Sequence, residues 1–163
     1  MKERMIEMTC PHCGHVFHIK RDTLAIAKIS ETIEKRLQDG TYFFHQCNRC
    51  HNLFYLIYPF LFRDPQRKFT LILSDKKEID NLPEDEMVVR CKDPEQFFFC
   101  YRVLYQQLNL KKMVYLKHRW QKKWSQDAQF ERYDRLHHCL WIKVKNEYKA
   151  MILSKEEEKE LCS

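Results

Sequence analysis

Two closely spaced cysteine pairs constrain the fold of this chain more than any other feature. Cys10 and Cys13 form one C-x-x-C pair, and Cys47 and Cys50 form a second, which gives the spacing C-x2-C-x33-C-x2-C. Two such pairs are typical of a tetrahedral zinc site in which each pair lies on a tight turn, or knuckle. We therefore expect these four cysteines to bind one structural zinc ion.

Other uses of the same thiols remain open at this point. A rubredoxin-like iron site takes the same four ligands, and a C-x-x-C pair also occurs in thiol redox proteins. The alternating run "HVFHIK" after Cys13 predicts a strand, whereas a thioredoxin-type dithiol is followed by a helix, which favours the metal site. In a further alternative, one nearby histidine replaces a cysteine as ligand; the candidates are His12, His15, His18, His45 and His51.

Composition and charge narrow the function classes. The net charge of +6 over 163 residues is a mild excess of positive charge, which we interpret as spread along the chain. A charge of this kind is not typical of a dedicated nucleic-acid-binding protein. Residues 1–10 contain no apolar segment of a secretory signal, and the apolar run 53–62 is too short to span a membrane. We therefore expect a cytoplasmic protein with reduced thiols and no membrane association.

The segment around the knuckles predicts strands and one helix. "MIEMTC" and "HVFHIK" are expected to pair as a hairpin around the first knuckle, and strands are expected on both sides of the second. Between the knuckles, Asp22 is expected to cap a helix and Gly40 to end it. The apolar face of this helix would consist of Ile26, Ile29, Ile33 and Leu37.

The second half predicts helices followed by a hairpin. Asp93 is expected to cap a first helix, Asn109 to separate it from a second, and Ser154 with Glu157 to form a capping box for a short last helix. The fold class is therefore α+β. We expect a zinc ribbon with an inserted helix in residues 1–75. Residues 76–163 add a helical segment, a C-terminal β-hairpin and a short helix, packed as one unit with the ribbon after the linker-like stretch 75–86.

A basic helix at residues 111–124 is the alternative functional element. Its cations are Lys111, Lys112, Lys117, Arg119, Lys122 and Lys123. Cations interleaved with aromatic rings can bind a nucleic-acid backbone and stack on bases. However, Trp120 and Trp124 fall on the same helical stripe as Met113 and Leu116. We expect these tryptophans to be buried and the cations to face solvent, so nucleic-acid binding by this helix would be weak.

Four stretches of the chain follow a recognisable pattern: "CPHCG" at the first knuckle, "LQDGTYFFHQC" before the second, "YPFLFRDPQRKFTLIL" after it, and more weakly the helical segment that follows. Over these stretches, roughly residues 7–117, the chain resembles the CpXC family of small prokaryotic proteins. The resemblance implies a zinc-ribbon-like fold with four cysteine ligands, and it implies no known activity. The second knuckle departs from the family pattern, since Asn48 and His51 stand where proline and glycine are frequent.

These observations favour a protein that binds and does not catalyse. Four protein ligands leave a tetrahedral metal no open position for water, and no paired carboxylates or activated nucleophile stand out. We expect an interaction or scaffold module with an unidentified protein partner; the alternatives are weak nucleic-acid binding and a thiol redox or iron site. The remaining cysteines are not expected to be ligands: Cys91, Cys100, Cys139 and Cys162.

Overall fold

The computed structural model describes residues 2–74 and 85–163 and divides the chain into two compact units. The units are Met1–Phe98 and Phe99–Ser163, so the division falls inside a helix. Most of the predicted linker, residues 75–84, lies outside the described residues. The predicted domain boundary after residue 75 borders that segment and stays a prediction.

The described residues form ten strands and four helices, which confirms the predicted α+β class. The strands are β1 (Lys2–Thr9), β2 (Val16–Ile26), β3 (Phe44–Gln46), β4 (Leu53–Tyr55), β5 (Phe60–Asp64), β6 (Phe69–Leu73), β7 (Met87–Cys91), β8 (Gln129–Asp134), β9 (Cys139–Val144) and β10 (Glu147–Ile152). The helices are α1 (Glu31–Gln38), α2 (Pro94–Tyr105), α3 (Leu110–Lys123) and α4 (Lys155–Leu161). Among the described helices, none has the length and apolar character needed to cross a membrane.

The first unit is built on a five-stranded sheet in the order β1-β2-β5-β6-β7. β1 and β2 form the predicted antiparallel hairpin, and β2 pairs in parallel with β5. β3 and β4 form a separate two-stranded ribbon around the second knuckle. The predicted single strand after that knuckle is wrong, because the chain leaves β4 before Pro59 and enters the large sheet only at Phe60; proline has no N–H with which to continue a ladder.

The predicted start of the inserted helix is also wrong. β2 continues to Ile26, where it pairs with β5, so Asp22 lies in a strand and caps nothing. Ile29 is 70% exposed, whereas Ile33 is buried in α1. Sheet pairing on both edges of β2 thus overrides the helical spacing of the apolar residues. The predicted end is confirmed: Gly40 has φ +78°, and this left-handed turn follows the last residue of α1.

Aromatic rings fill the core of the first unit. Phe43 is fully buried and lies 5.4 Å from Phe97 and 5.6 Å from Phe60, centroid to centroid, with its ring nearly perpendicular to both. Such edge-to-face pairs add about 0.5–1.5 kcal/mol each beyond the burial of their surface. The core therefore connects the segment before the second knuckle to the large sheet and to the start of α2.

The second unit packs α3 and α4 on one three-stranded antiparallel sheet, β10-β9-β8. The predicted C-terminal hairpin is β9–β10, and β8 is a further strand that the sequence pattern did not indicate. A bulge between Phe130 and Arg132 shifts the register of β8. Because an extra residue breaks the alternation of apolar and polar positions, this strand lacks the period of two that identifies strands from sequence.

Two hairpins, one in each unit, close with the same kind of turn. β5–β6 and β8–β9 each pair an aspartate with the residue five positions later, Asp64 with Phe69 and Asp134 with Cys139. The Oδ1 atom of Asp64 accepts from the N–H of Arg67 (2.9 Å), and Asp134 accepts in the same way from the residue three positions ahead. Local aspartate–backbone bonds of this kind fix turn geometry.

Candidate metal centre

The first knuckle is the turn between β1 and β2. The N–H of Cys10 donates to the carbonyl of His15 (2.9 Å), and the N–H of Gly14 donates to the carbonyl of Cys10 (2.9 Å). Gly14 has φ +74°, a left-handed conformation that glycine adopts at no steric cost. The two bonds fold Cys10 and Cys13 into one tight turn at the end of the hairpin.

The second knuckle, between β3 and β4, repeats these bonds. The N–H of Cys47 donates to the carbonyl of Asn52 (3.0 Å), and the N–H of His51 donates to the carbonyl of Cys47 (2.9 Å). His51 has φ +62° and occupies the place that Gly14 has in the first knuckle. The departure from glycine at this position therefore leaves the backbone of the knuckle unchanged.

The two knuckles bring four thiols together. The Sγ atoms of Cys10, Cys13, Cys47 and Cys50, which we call the cysteine cluster, all lie within 4.8 Å of one another. The Sγ–Sγ distance is 3.7 Å between Cys10 and Cys50 and 3.6 Å between Cys13 and Cys47. Four sulfurs at about 2.3 Å from one tetrahedral ion would lie about 3.8 Å apart. The cluster could therefore hold a metal ion with little rearrangement.

The segment that contains the cluster identifies the family. A family model described as CpXC protein matches residues 8–129, most of the chain. The chain belongs to the CpXC family. No curated protein and no solved structure matches it. The resemblance inferred from the knuckle sequences is thus confirmed, and β9, β10 and α4 lie beyond the matched segment of this CpXC protein.

Amide groups favour the thiolate form in the second knuckle. The backbone N–H of Asn52, and then its side-chain amide (Nδ2–Sγ 3.4 Å), lowers the pKa of Cys50 to about 6. The backbone N–H of Cys50 lowers the pKa of Cys47. Since the thiolate is the form that binds metals, these amides prepare the knuckle for a cation.

The pKa of Cys13 moves in the opposite direction. The backbone N–H of His15 lowers it, but desolvation and the three other sulfurs of the cysteine cluster outweigh that effect and raise the pKa to about 11. Successive ionisation of clustered thiols is opposed by the repulsion between like charges. A cation at the centre of the cluster would offset this repulsion and allow all four thiols to ionise.

An aromatic stack flanks the knuckles. The ring of Phe17 lies 4.7 Å from His45 and 6.2 Å from His15, centroid to centroid, in stacked orientations. Desolvation, and then the charge of Arg21, lowers the pKa of His45 and favours its neutral form in this stack. Within the part of the chain that the structure describes, the metal-ligand cluster contains cysteines alone, so the alternative of a histidine ligand gains no support.

The other four cysteines lie outside the cluster. Cys91, Cys100 and Cys139 are buried, each at 5% exposure or less, and Cys162 is exposed. The predicted roles of Cys100 and Cys139 as small buried apolar side chains agree with this burial.

The basic helix α3 matches the expected orientation at Trp120 and only in part at Trp124 and Lys112. Trp120 is fully buried, its indole N–H donates to the carbonyl of Ala128 (3.3 Å), and Trp124 packs half-buried at the edge of the same core. Two of the helix cations form ion pairs with α4: Lys112 with Glu160, and Arg119 with Glu157. The acids of α4 therefore offset part of the positive potential of α3, and weak nucleic-acid binding by this helix stays a prediction.

No role was predicted for Trp141 and Tyr148, although the alternation of apolar residues in β9 indicates the face on which Trp141 lies. Leu140, Ile142 and Val144 alternate along β9, so Trp141 must lie on the opposite face of the sheet from the core. The structure places Trp141 half-buried and Tyr148 57% exposed on that face.

Proposed function

We propose that the cysteine cluster binds one zinc ion and that this ion has a structural role. The observation that carries the proposal is the convergence of four sulfurs from two knuckles at spacings close to those of a tetrahedral thiolate site. Zinc fits the donor set because thiolates are soft ligands and zinc accepts tetrahedral geometry without strain.

The metal is proposed to fasten two parts of the chain that otherwise meet through ring contacts, among them Phe17 of β2 with His45 and Phe54 of the ribbon. One knuckle closes the β1–β2 hairpin, whereas the other closes the short β3–β4 ribbon, which has only three residues in each strand. A two-stranded ribbon of this length is marginal in water. In zinc-finger peptides a comparable site supplies about 10–16 kcal/mol of apparent binding free energy at neutral pH, which is ample to order such a ribbon.

The proposed biological role is that of a binding or scaffold module, not an enzyme. A tetrahedral ion with four cysteine ligands has no open position at which to activate water or polarise a substrate. The thiolates would be committed to the metal, which lowers their availability for redox chemistry. The protein would therefore act by binding a partner at its surface, and no reaction would take place at the metal.

Metal content of matched cysteine variants tests the proposal. Cys47→Ser removes a member of the cluster, whereas Cys162→Ser removes an exposed cysteine outside it. Elemental analysis of protein purified without added metal is expected to find one zinc per chain in the wild type and in Cys162→Ser, and a large loss in Cys47→Ser. Iron in place of zinc would support the rubredoxin-like alternative, and loss of metal in Cys162→Ser would show that the ligand set is wrong.

A further inference from the structure

The positive charge of the protein is concentrated in its second unit. Residues 99–163 contain 14 lysines and arginines against 8 aspartates and glutamates, a net charge of +6, which equals the net charge of the whole chain. The first unit is therefore neutral overall, and the expectation of a charge spread along the chain is wrong. Asymmetry of this kind favours a polyanionic partner for the charged half.

The sheet of the second unit has one face in the core and one face open to solvent. Leu140 and Ile142 point into the core, so Trp141 and Lys143 of the same strand lie on the outer face. Bases of single-stranded nucleic acids stack on exposed aromatic rings, and cations beside the rings bind the phosphates.

Strand register sets cations and rings side by side on this outer face. Arg132 of β8 is the direct partner of Trp141, and its guanidinium lies 5.9 Å from the indole ring centroid. Lys143 of β9 is the direct partner of Tyr148 on β10, and its Nζ lies 6.0 Å from the phenol ring centroid. The two cation–ring pairs are therefore on adjacent rows of the same face.

A cleft opens between the two rings. It has a volume of about 370 Å³ and is lined by Glu131, Arg132, Trp141 and Tyr148. Ala150, the partner of Trp141 on β10, has a side chain too small to fill the space beside the indole. The cleft thus offers one planar group access to both rings; Glu131 lines it, and the carboxylate of Asp134 lies at the indole N–H.

The indole of Trp141 is held in a fixed orientation. Its Nε1–H donates to Oδ2 of Asp134 (3.0 Å), and Asp134 is itself fixed in the β8–β9 turn by the N–H of His137 (3.1 Å). A ring that is already oriented loses little entropy on stacking, which increases the affinity it can supply.

We propose that single-stranded nucleic acid binds across this outer face, which we call the Trp141 face, with bases on Trp141 and Tyr148 and phosphates near Arg132 and Lys143. The Trp141 face fits this partner better than α3, because α3 buries Trp120 and pairs Lys112 and Arg119 with acids of α4. Arg132 also lies 3.7 Å from Asp134, but its side chain is 61% exposed, more than that of either paired cation of α3. This inference shares one premise with the proposed function, namely that the protein acts by binding and not by catalysis. The Trp141 face and the cysteine cluster lie in different units.

Two exposed tyrosines, one on the sheet and one on helix α3, allow a test variant to be compared with a control variant. Tyr148 on the sheet and Tyr115 on α3 are 57% and 59% exposed, and each has a lysine near its ring. Fluorescence anisotropy of the full metal-loaded chain would be measured with labelled oligothymidylate and oligouridylate of about 12 nucleotides, and with a duplex of equal length, at ~0.15 M salt. Tyr148→Ala is expected to weaken single-strand binding about ten-fold, Tyr148→Phe to retain it, and Tyr115→Ala to leave it unchanged.

Four results of these measurements would contradict binding of single strands to the Trp141 face. The proposal is overturned if neither single strand binds at this salt concentration, if the duplex binds as tightly, or if Tyr115→Ala matches Tyr148→Ala in effect. Displacement of the oligonucleotide by an equal concentration of polyglutamate would point to an acidic protein partner and would also overturn it. Melting temperatures and zinc content of the same samples show whether each variant is folded and loaded, so failure here is distinguishable from failure of the metal site.

Discussion

Each knuckle of the candidate metal centre depends on one residue in the left-handed backbone conformation. Gly14 and His51 each donate an N–H to the carbonyl of the first cysteine of their pair, at positive φ. The left-handed conformation costs a residue with a side chain about 1–2 kcal/mol more than it costs glycine. The second knuckle therefore carries a local strain that the first avoids.

Gly14→Ala is expected to lower the free energy of unfolding by about 1 kcal/mol. The reason is backbone strain alone, since an added Cβ would have no heavy atom within 4 Å. Denaturant unfolding of the metal-loaded protein measures the effect, and Gly14→Asn serves as the control because asparagine tolerates this conformation better. A loss of several kcal/mol in Gly14→Ala, or an equal loss in both variants, would contradict this explanation.

Asp134 links the stability of the second unit to pH. The indole N–H of Trp141, and then the ring and backbone N–H of His137, hold the pKa of the Asp134 carboxyl well below its usual range. The folded state keeps this group ionised in acid, while the unfolded chain takes up a proton near its ordinary pKa of about 3.9. The stabilisation is therefore present above that pKa and is lost as pH falls below it.

In Asp134→Asn we expect a smaller decrease in unfolding free energy between about pH 5 and pH 3 than in the wild type. Tryptophan fluorescence during urea unfolding measures this in the second unit specifically, because all three tryptophans lie in residues 99–163. An unchanged pH slope in the variant would show that Asp134 is not the responsible group.

At the scale of elements, capping residues predicted the ends of several helices. The full length of one strand and the presence of another were not predicted, because pairing with distant strands overrode the spacing of apolar residues along the chain. Asp93 accepts from the N–H of Gln96 (2.8 Å), Asn109 from that of Lys112 (3.0 Å), and Gly40 follows the end of α1 as expected. These signals depend only on neighbours in sequence. The extension of β2 to Ile26 and the bulged strand β8 depend on partners far along the chain, so residue spacing alone did not indicate them.

The cap of α4 offers a test at this scale. Ser154 accepts from the N–H of Glu157 (3.2 Å), and the Glu157 carboxylate accepts from the N–H of Ser154 (3.1 Å), which completes the predicted capping box. Ser154→Ala is expected to lower the free energy of unfolding by about 1 kcal/mol, as measured by urea unfolding. Ser163→Ala, which removes an exposed hydroxyl at the other end of the helix, is expected to have almost no effect; equal losses would argue against the cap.

At the scale of the whole molecule, metal and fold are expected to be coupled in the first unit. Removal of the ion by a chelator should release one zinc per chain and should increase hydrogen exchange in peptides around both knuckles, because the β3–β4 ribbon has only three residues in each strand and the ion would fix both turns. Hydrogen exchange followed by mass spectrometry locates the change within residues 2–74. A chelated protein that keeps its full melting transition and its exchange pattern would show that the ion has no structural role.

The sequence predicted the clustering of the four cysteines well and the exposed faces of the fold poorly, for a physical reason. Ligand spacing is dictated by the geometry of the ion, so four cysteines in two pairs identified the cluster without a structure. The character of a surface depends on which faces the fold leaves open. Trp120 and Trp141 look alike in sequence, yet one is fully buried and the other lies only half-buried beside Arg132.

X-ray absorption spectroscopy of protein purified without added metal tests the central claim most directly, because it identifies the metal and its ligands together. The account predicts a zinc edge and a first shell of four sulfur atoms at about 2.3 Å. An iron edge, a shell containing nitrogen or oxygen, or fewer than four sulfurs would contradict a structural zinc ion held by Cys10, Cys13, Cys47 and Cys50.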